Sequence, residues 1–415
     1  MEVPPATHVD HCRICYSKDV EPLFSIGAQY VNGFLNKDED PGEKVPIELV
    51  YCRQCTLVYL KHTAPQEILY SRHYWYRSGI TNTMRMALAE IAELLEETVP
   101  LKQGDVILDI GSNDGTLLRS YKNNNAKTVG VEPADNLVDA GQTGVDCFIH
   151  DFWNYETYDE NVGKQAKIIT ALGMFYDLDD PNKFIGDIGK ALAPDGVFVA
   201  QLMCLQDMYQ LNDVGNLAHE HLEFYSLKSL DYIFGKYGME IYDISYNAVN
   251  GQSTRLFVRQ MDSDIAPEAS PEAALRLQQA RAAEEKFSDM QTYKDMFESM
   301  ELARKQTVDF IRKAVDEGKK VWVYGASTKG NTILQYYELD HTLIEGAAER
   351  SPEKWGKFTV GTKIPIYSEA YAREVNPDYF LVLPYAFLPE FIERESEWRD
   401  NGGLFIVPIP EFRVV

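Results

Sequence analysis

Four cysteines stand in two pairs of one spacing, Cys12-Arg-Ile-Cys15 and Cys52-Arg-Gln-Cys55, with residues 16–51 between them. A C-x2-C turn sets two thiolates at adjacent corners of a tetrahedron and a second turn completes it, which is the arrangement of a zinc site. Reduced buried cysteines and a redox pair are the other readings of such spacing. Two matched pairs in a segment with little other core favour the metal. Sulfur at all four corners leaves no coordination position for water or substrate, so this zinc is structural. His8 and His11 beside the first pair read as solvated surface, and Cys147 and Cys204 as core residues at strand edges.

The stretch VILDIGSNDGTLL (106–118) reads strand, turn, helix. Gly111 and Gly115 bracket Ser112, Asn113 and Asp114, and Glu132 closes the next apolar run 21 positions after Gly111. A glycine at the turn lets a ligand approach the backbone, and an acid after the second strand suits ribose hydroxyls. A dinucleotide site would show G-x-G-x-x-G with helix amides on a pyrophosphate. Here Asn113 takes the second glycine's place, and Asp109 and Asp114 put negative charge where a pyrophosphate would sit. A cofactor without phosphate, S-adenosylmethionine (SAM), fits better: its ribose suits Glu132 and its amine suits Asp109. In His150-Asp151-Phe152, Phe152 is placed to pack on the adenine and Asp151 to accept from its amino group. A different nucleotide, or a turn without function, is the competing reading.

Two further clusters follow. His219-Glu220-His221, in NLAHEHLEFYS, comes just after the apolar run GVFVAQL, where open α/β sheets place their ligands. A zinc-protease motif is excluded, because Glu223 stands four after His219 where a histidine is needed. An acid/base pair, a second metal site through His219 and His221, and loop histidines satisfied by hydrogen bonds all stay open. VWVYGASTKGN (321–331) is again strand, turn, helix, but lacks Walker-loop spacing. Ser327, Thr328 and Lys329 at a helix start make an anion site, set against a second α/β unit kept for packing alone.

These residues need elements to hold them. The runs VILDI, TVGVE (128–132), AKIITAL (166–172) and GVFVAQL (196–202) alternate with helical stretches, which implies a parallel sheet covered on both faces. IYDISYN (241–247) and STRLFVRQ (253–260) read as an antiparallel pair closing it. MRMALAEIAELLEETV (84–99) is an amphipathic helix, residues 265–318 a charge-rich helical linker, and DYFLVLP (378–384) and GLFIVPIP (403–410) further strands. The first 65 residues read as loop- and turn-rich. The expected class is α/β with boundaries at 1–65 (zinc), 66–264 (SAM), 265–318 (linker) and 319–415 (second Rossmann-like unit). The 415 residues carry 40 Lys+Arg against 64 Asp+Glu, a formal charge of −24. Such a chain repels a phosphate backbone, so nucleic acid is an unsuited partner. With no apolar run of membrane length and no basic, apolar leader, the expectation is a cytoplasmic monomer acting on a small molecule.

In this order, the double knuckle, LDIGSNDGTLL, the Glu-His pair and YGASTKGN resemble the zinc-containing nucleotide-sugar C-methyltransferases along essentially the whole chain. The resemblance implies methyl transfer from SAM to the carbon beside a ketone, typically C3 of a 4-keto-deoxysugar on a nucleoside diphosphate. It makes His221 the general base, with Glu220 binding a hydroxyl or tuning it. It places Tyr76, from the Tyr74-Trp75-Tyr76-Arg77-Ser78 stretch, in the active site. Tyr176 and Tyr225 are assigned to the sugar, and Ser327, Thr328, Lys329, Arg77 and Arg350 to the nucleoside diphosphate. The chain departs from the family pattern at Ala218, where members can carry a tyrosine, and at Tyr176, where some show histidine. Transfer to oxygen or nitrogen, or a module that binds without turnover, are the alternative functions.

Overall fold

The computed structural model describes residues 6–65, 69, 75–123, 125–248 and 251–415. The N-terminal unit is built on β1 (Val20–Tyr30), β2 (Lys44–Cys52) and β3 (Val58–Leu60), paired antiparallel. Strands of this length depart from the turn-rich reading. Pro22 and Gly27 sit where the β1–β2 register shifts, and those breaks hide the strand's alternation in sequence.

Helix α1 (Asn82–Thr98) starts at Thr81, whose hydroxyl accepts from the Met84 N–H, and buries Met84, Leu88, Ile91 and Leu95 along one face. The chain then alternates through β4 (Val106–Ile110), β5 (Lys127–Val131), β6 (Cys147–Ile149), α2 (Tyr155–Val162), β7 (Ala166–Leu172), α3 (Pro181–Ala191) and β8 (Leu192–Leu202). Next come α4 (Leu205–Leu211), β9 (Glu223–Phe224), α5 (Leu227–Lys236), β10 (Met239–Asn247) and β11 (Ser253–Gln260). One seven-stranded sheet results, ordered β10-β11-β8-β7-β4-β5-β6, with β11 antiparallel to both neighbours. Strands β4, β7 and β8 are buried along nearly their whole length, which is why they read as continuous apolar runs. From β4 the chain builds outward to β5, then returns to place β7 on the other side, so a crevice opens beyond the carboxyl ends of β4 and β7. Strand β9 joins the other sheet instead, pairing Glu223 with Tyr59.

Two helices, α6 (Pro271–Ala283) and α7 (Met290–Asp316), fill the charge-rich stretch. Pro271 opens α6 behind the Ser270 cap. Helix α7 lays Phe297 on Phe24 of β1 (centroids 4.8 Å apart) and buries Met296, Met300, Ala303 and Ile311. The last unit has β12 (Val321–Tyr324), α8 (Thr328–Tyr337), β13 (Gly346–Glu349), β14 (Ile366–Ser368), β15 (Tyr379–Val382), β16 (Leu404–Val407) and β17 (Arg413–Val414). Its sheet runs β14-β13-β12-β15-β16-β17, parallel except for β17, with a second topological switch between β12 and β15. Phe34–Leu35 pairs with Phe358–Thr359, tying the first unit to the last. Among the described residues no helix is long and apolar enough to cross a membrane.

Candidate active site and zinc centre

The two cysteine pairs fold as copies of one turn. The Tyr16 N–H donates to the Cys12 carbonyl (3.0 Å) and the Thr56 N–H to that of Cys52 (2.9 Å). Each turn leaves through the left-handed region, at Tyr16 (φ 61°) and Thr56 (φ 65°). All four thiols are free, their sulfurs lie within 4.8 Å of one another, and Cys12–Cys55 and Cys15–Cys52 stand 3.3 and 3.4 Å apart. Zinc–sulfur bonds of about 2.3 Å put tetrahedral sulfurs about 3.8 Å apart, so a small adjustment that opens the two close pairs seats the ion. Burial first, with the neighbouring Cys12 charge adding to it, pushes the Cys15 thiol up to about 12, a cost that a divalent cation removes. Among the described residues this is the only group of metal-ligand side chains. His219 does not make a second: its Nε2 meets the Val45 carbonyl (2.9 Å), and burial lowers its pKa to about 4.

A cavity of about 680 Å³ is lined from all three units: Asn32 from the first, the β4 and β7 turns and Glu220–His221 from the second, and Ser327–Lys329 with Tyr385 from the last. At the β4 turn Gly111 takes φ 69°, with the Met174 side chain 3.1 Å from where a Cβ would stand. Glu132 clamps the turn, accepting from the N–H groups of Asn113 and Ala134 at 2.9 Å each. Asp109 faces Thr170 in the β4–β7 register and accepts its hydroxyl at 2.6 Å. Burial pushes Asp109 up to about 7, with the Glu132 charge adding to it, and pushes Glu132 up as well. Neither carboxylate has a Lys or Arg partner among the described residues. Such a wall accepts a cationic guest.

Across the cavity, His221 Nδ1 lies 2.8 Å from the Asn216 carbonyl. A carbonyl only accepts, so Nδ1 carries the proton and Nε2 keeps its lone pair. Burial first, then the Lys329 charge, lower His221 to about 3, so the imidazole stays neutral. The Tyr176 ring meets it edge-on, centroids 4.6 Å apart. Glu220 is raised to about 6 by burial and takes a 3.4 Å hydrogen bond from Asn32, whose amide also reaches the Thr332 hydroxyl. In the last unit Gly325 (φ 84°) turns beneath Pro384, which stands 2.6 Å from where a Cβ would be. Ser327 caps α8 by accepting from the Gly330 N–H (3.0 Å), and Thr328 and Lys329 face the cavity.

Three family models match along the chain: "Putative zinc binding domain" over residues 12–70, "Methyltransferase domain" over 82–244 and "C-methyltransferase C-terminal domain" over 248–410. The sequence is 32% identical to the C-methyltransferase NovU of Streptomyces niveus over 413 residues, 98% of this chain and 97% of that protein. The chain belongs to the C-methyltransferase family. It is therefore a SAM-dependent C-methyltransferase with a four-cysteine zinc site. Among solved structures it is similar to the magnesium protoporphyrin IX methyltransferase of Synechocystis PCC 6803 with bound S-adenosylhomocysteine (12% identity, 45% of this chain, 91% of that chain, TM-score 0.34). A SAM-dependent methyltransferase of Leishmania major gives 13% identity, 44% of this chain, 75% of that chain and a TM-score of 0.35.

For this C-methyltransferase the cavity gathers Tyr76, Asp109, Gly111, Asn113, Glu132, Phe152, Tyr176, Glu220, His221, Ser327, Thr328 and Lys329. Six other residues expected in the site lie off it. Asp114 and Asn113 fasten the strap that carries Tyr76: Asp114 accepts from the Gly79 N–H (2.8 Å), and Asn113 accepts from Ser78 (3.0 Å) and donates to the Tyr76 carbonyl (3.1 Å). Tyr76 itself is 41% exposed, into the cavity; its partner in the motif, Tyr74, lies outside the described residues. Gly115 is a packing glycine, since a Cβ there would come within 2.9 Å of the Gly141 carbonyl. Asp151 is exposed and accepts from its neighbour Phe152, and Tyr225 is fully buried, stacked on Phe175 at 4.9 Å. Arg77 pairs with Glu353 (3.5 Å) and Arg350 with Glu390 (3.4 Å), because in a strongly acidic chain guanidinium groups find a nearby carboxylate first. Sequence reasoning missed Asn32, Gln201 and Tyr385, which no local motif marks.

Proposed function

We propose that the acceptor is a ketosugar on a nucleoside diphosphate, methylated at the carbon beside the ketone, C3 of a 4-keto-deoxysugar. The observation that carries this is the placing of His221 Nε2, a neutral base with a fixed tautomer, on a cavity whose one end is acidic and whose other end is a capped, lysine-bearing helix start. Asp109 takes the SAM amine, Glu132 the ribose hydroxyls, and Phe152 packs on the adenine. When bound, SAM supplies an electrophilic methyl group and leaves as S-adenosylhomocysteine. Ser327, Thr328 and Lys329 hold the diphosphate, and Glu220 a sugar hydroxyl. His221 removes the α-proton and keeps it on the imidazole, leaving an enolate whose carbon forms the new C–CH3 bond as the methyl–sulfur bond breaks and its electron pair returns to sulfur. A diphosphate beside Lys329 offsets the charge that, after burial, depresses His221, so acceptor binding strengthens the base. Tyr76 donates to a substrate oxygen from its strap. We read the chain as three units, residues 1–65, 66–264 and 319–415, bridged by 265–318. We place it as a monomer in the cytoplasm, where free thiolates stay reduced.

The test is release of S-adenosylhomocysteine when enzyme and SAM meet a panel of nucleoside-diphosphate 4-keto-6-deoxyhexoses. Turnover with one of them and carbon-bound methyl in the product are expected; silence across the panel rejects the acceptor class. His221→Ala should abolish turnover and leave SAM binding intact, and an active variant removes His221 as base.

A further inference from the structure

Gln201, the penultimate residue of β8, lies on the cavity wall on the far side of β7 from the Asp109–Glu132 crevice. Its backbone carbonyl receives the Gly173 N–H (2.7 Å), at the turn where the Tyr176 hydroxyl stands 3.7 Å from a Cβ built on Gly173. Tyr176 in turn packs on His221. One continuous wall therefore runs from Gln201 to the base. The Gln201 side chain is only 6% exposed, and its orientation is decided by chemistry: Oε1 sits 3.0 Å from Arg255 Nε and 3.0 Å from Asn247 Nδ2. A guanidinium has no acceptor, so the atom facing it must be the amide oxygen. Arg255, 3% exposed, is itself held by Glu90, with both terminal nitrogens at 3.3 and 3.4 Å from its two oxygens. The Gln201 NH2 is left with no protein partner among the described residues. An amide whose oxygen is pinned by a cation is polarised, and its N–H groups are the stronger donors for it.

Loss of an α-proton moves the carbonyl π pair on to oxygen while the C–H pair becomes the enolate double bond and the proton goes to His221. That oxygen needs a donor fixed before the charge arrives. We propose that the Gln201 amide N–H is this donor, making Gln201 a catalytic residue of the acceptor half of the site and Arg255 the residue that positions it. The inference rests on the ketosugar reading above.

The test separates the donor from the scaffold. Gln201→Glu keeps an acceptor for Arg255, so the fold is retained, but puts an oxygen where the NH2 was. Gln201→Leu removes both. Each is compared with wild type for deuterium uptake at the α-carbon of a nucleoside-diphosphate 4-keto-6-deoxyhexose in D2O, with S-adenosylhomocysteine in place of SAM, and for kcat and KM of methyl transfer. Removing one preorganised donor costs about 100-fold or more in rate. We expect that loss in exchange and kcat for Gln201→Glu, with SAM Kd within about twofold and Tm near wild type. If Gln201 serves only to hold Arg255, Gln201→Glu exchanges at the wild-type rate, and the proposal falls. A wild type that neither exchanges nor methylates any such ketosugar removes this proposal and the acceptor class together; an active wild type beside an equally active Gln201→Glu removes the amide's role alone.

Discussion

The two glycine turns of this C-methyltransferase share a topology and differ in charge. Both leave the carboxyl end of a parallel strand at a switch point, through Gly111 (φ 69°) and Gly325 (φ 84°). The first is walled by Asp109 and Glu132, and its helix-side residues Asn113 and Asp114 are occupied in fastening the Tyr76 strap. The second presents a serine cap, a threonine and a lysine. Topology places a ligand at both; the side chains decide its sign. An acidic turn suits a cofactor that brings an ammonium and a sulfonium, and a capped, basic turn suits a diphosphate. On the proposed reading, one cavity takes a cationic donor at its acidic turn and an anionic acceptor at its basic turn, with His221 on the same cavity.

Asp109→Asn is the sharpest way to break that contrast. A hydrogen bond to a charged group is worth about 1.5–3 kcal/mol, so SAM Kd should rise about 10- to 100-fold by calorimetry while nucleoside-diphosphate binding stays put. Stability should move the other way. Asp109 titrates near 7 in the fold against 3.8 as a free side chain, so the native state keeps a proton the unfolded chain gives up between those values. Stability therefore falls as pH rises through that window. The neutral amide escapes the penalty, and urea midpoints at pH 8 should equal or exceed wild type. A destabilised variant that still binds SAM normally would contradict the assignment.

The reciprocal substitution is Lys329→Gln. Loss of about tenfold in nucleoside-diphosphate affinity at low salt, shrinking as ionic strength rises, is expected of a half-buried point charge. SAM affinity should stay within about twofold. If both ligands weaken together, the two ends are not electrically distinct and the contrast fails.

A third measurement follows from the Asp109 proton. Below pH 7 much of Asp109 is protonated before SAM arrives, and a cationic guest favours the ionised form, so binding should release up to about one proton and tighten as pH rises toward 7. Calorimetry in buffers of different ionisation enthalpy counts that proton directly. Asp109→Asn should show none.

Legibility followed locality. VILDI, AKIITAL and STRLFVRQ coincide with β4, β7 and β11 residue for residue: the first two are apolar runs buried among parallel strands, and the third is a more polar strand antiparallel to both neighbours. The cysteine knuckles and both glycine turns are equally local. What stayed hidden depends on register and on distant segments. Glu223–Phe224 joins the first unit's sheet instead of the sheet around it. Asn32 reaches Glu220 across 188 residues of chain, and Gln201 acquires its orientation from Arg255, 54 residues on. Arg77 and Arg350 sit off the cavity for the converse reason: a motif position says nothing of the carboxylates, Glu353 and Glu390, that the fold brings against them.

The smallest effect is the most specific. Lys329 is the second cause, after burial, of the lowered His221 pKa of about 3. Removing its positive charge makes the imidazolium easier to form, so Lys329→Gln should move the His221 titration to higher pH, and the acid limb of kcat/KM with it. Stability linked to His221 falls as pH drops from the free-imidazole value of 6.5 toward the native value of about 3, so a variant whose native value is higher should lose less of it in acid. Near pH 7 the ring is neutral in both proteins, so this term leaves kcat there unchanged and any loss of kcat/KM reflects weaker acceptor binding. NMR titration of the His221 ring separates the two. A bound nucleoside diphosphate should imitate the substitution, lifting the wild-type titration and leaving that of Lys329→Gln nearly where it was. If the diphosphate moves neither, the basic turn and the base are uncoupled, and charge at one end of the cavity does not set the chemistry at its centre.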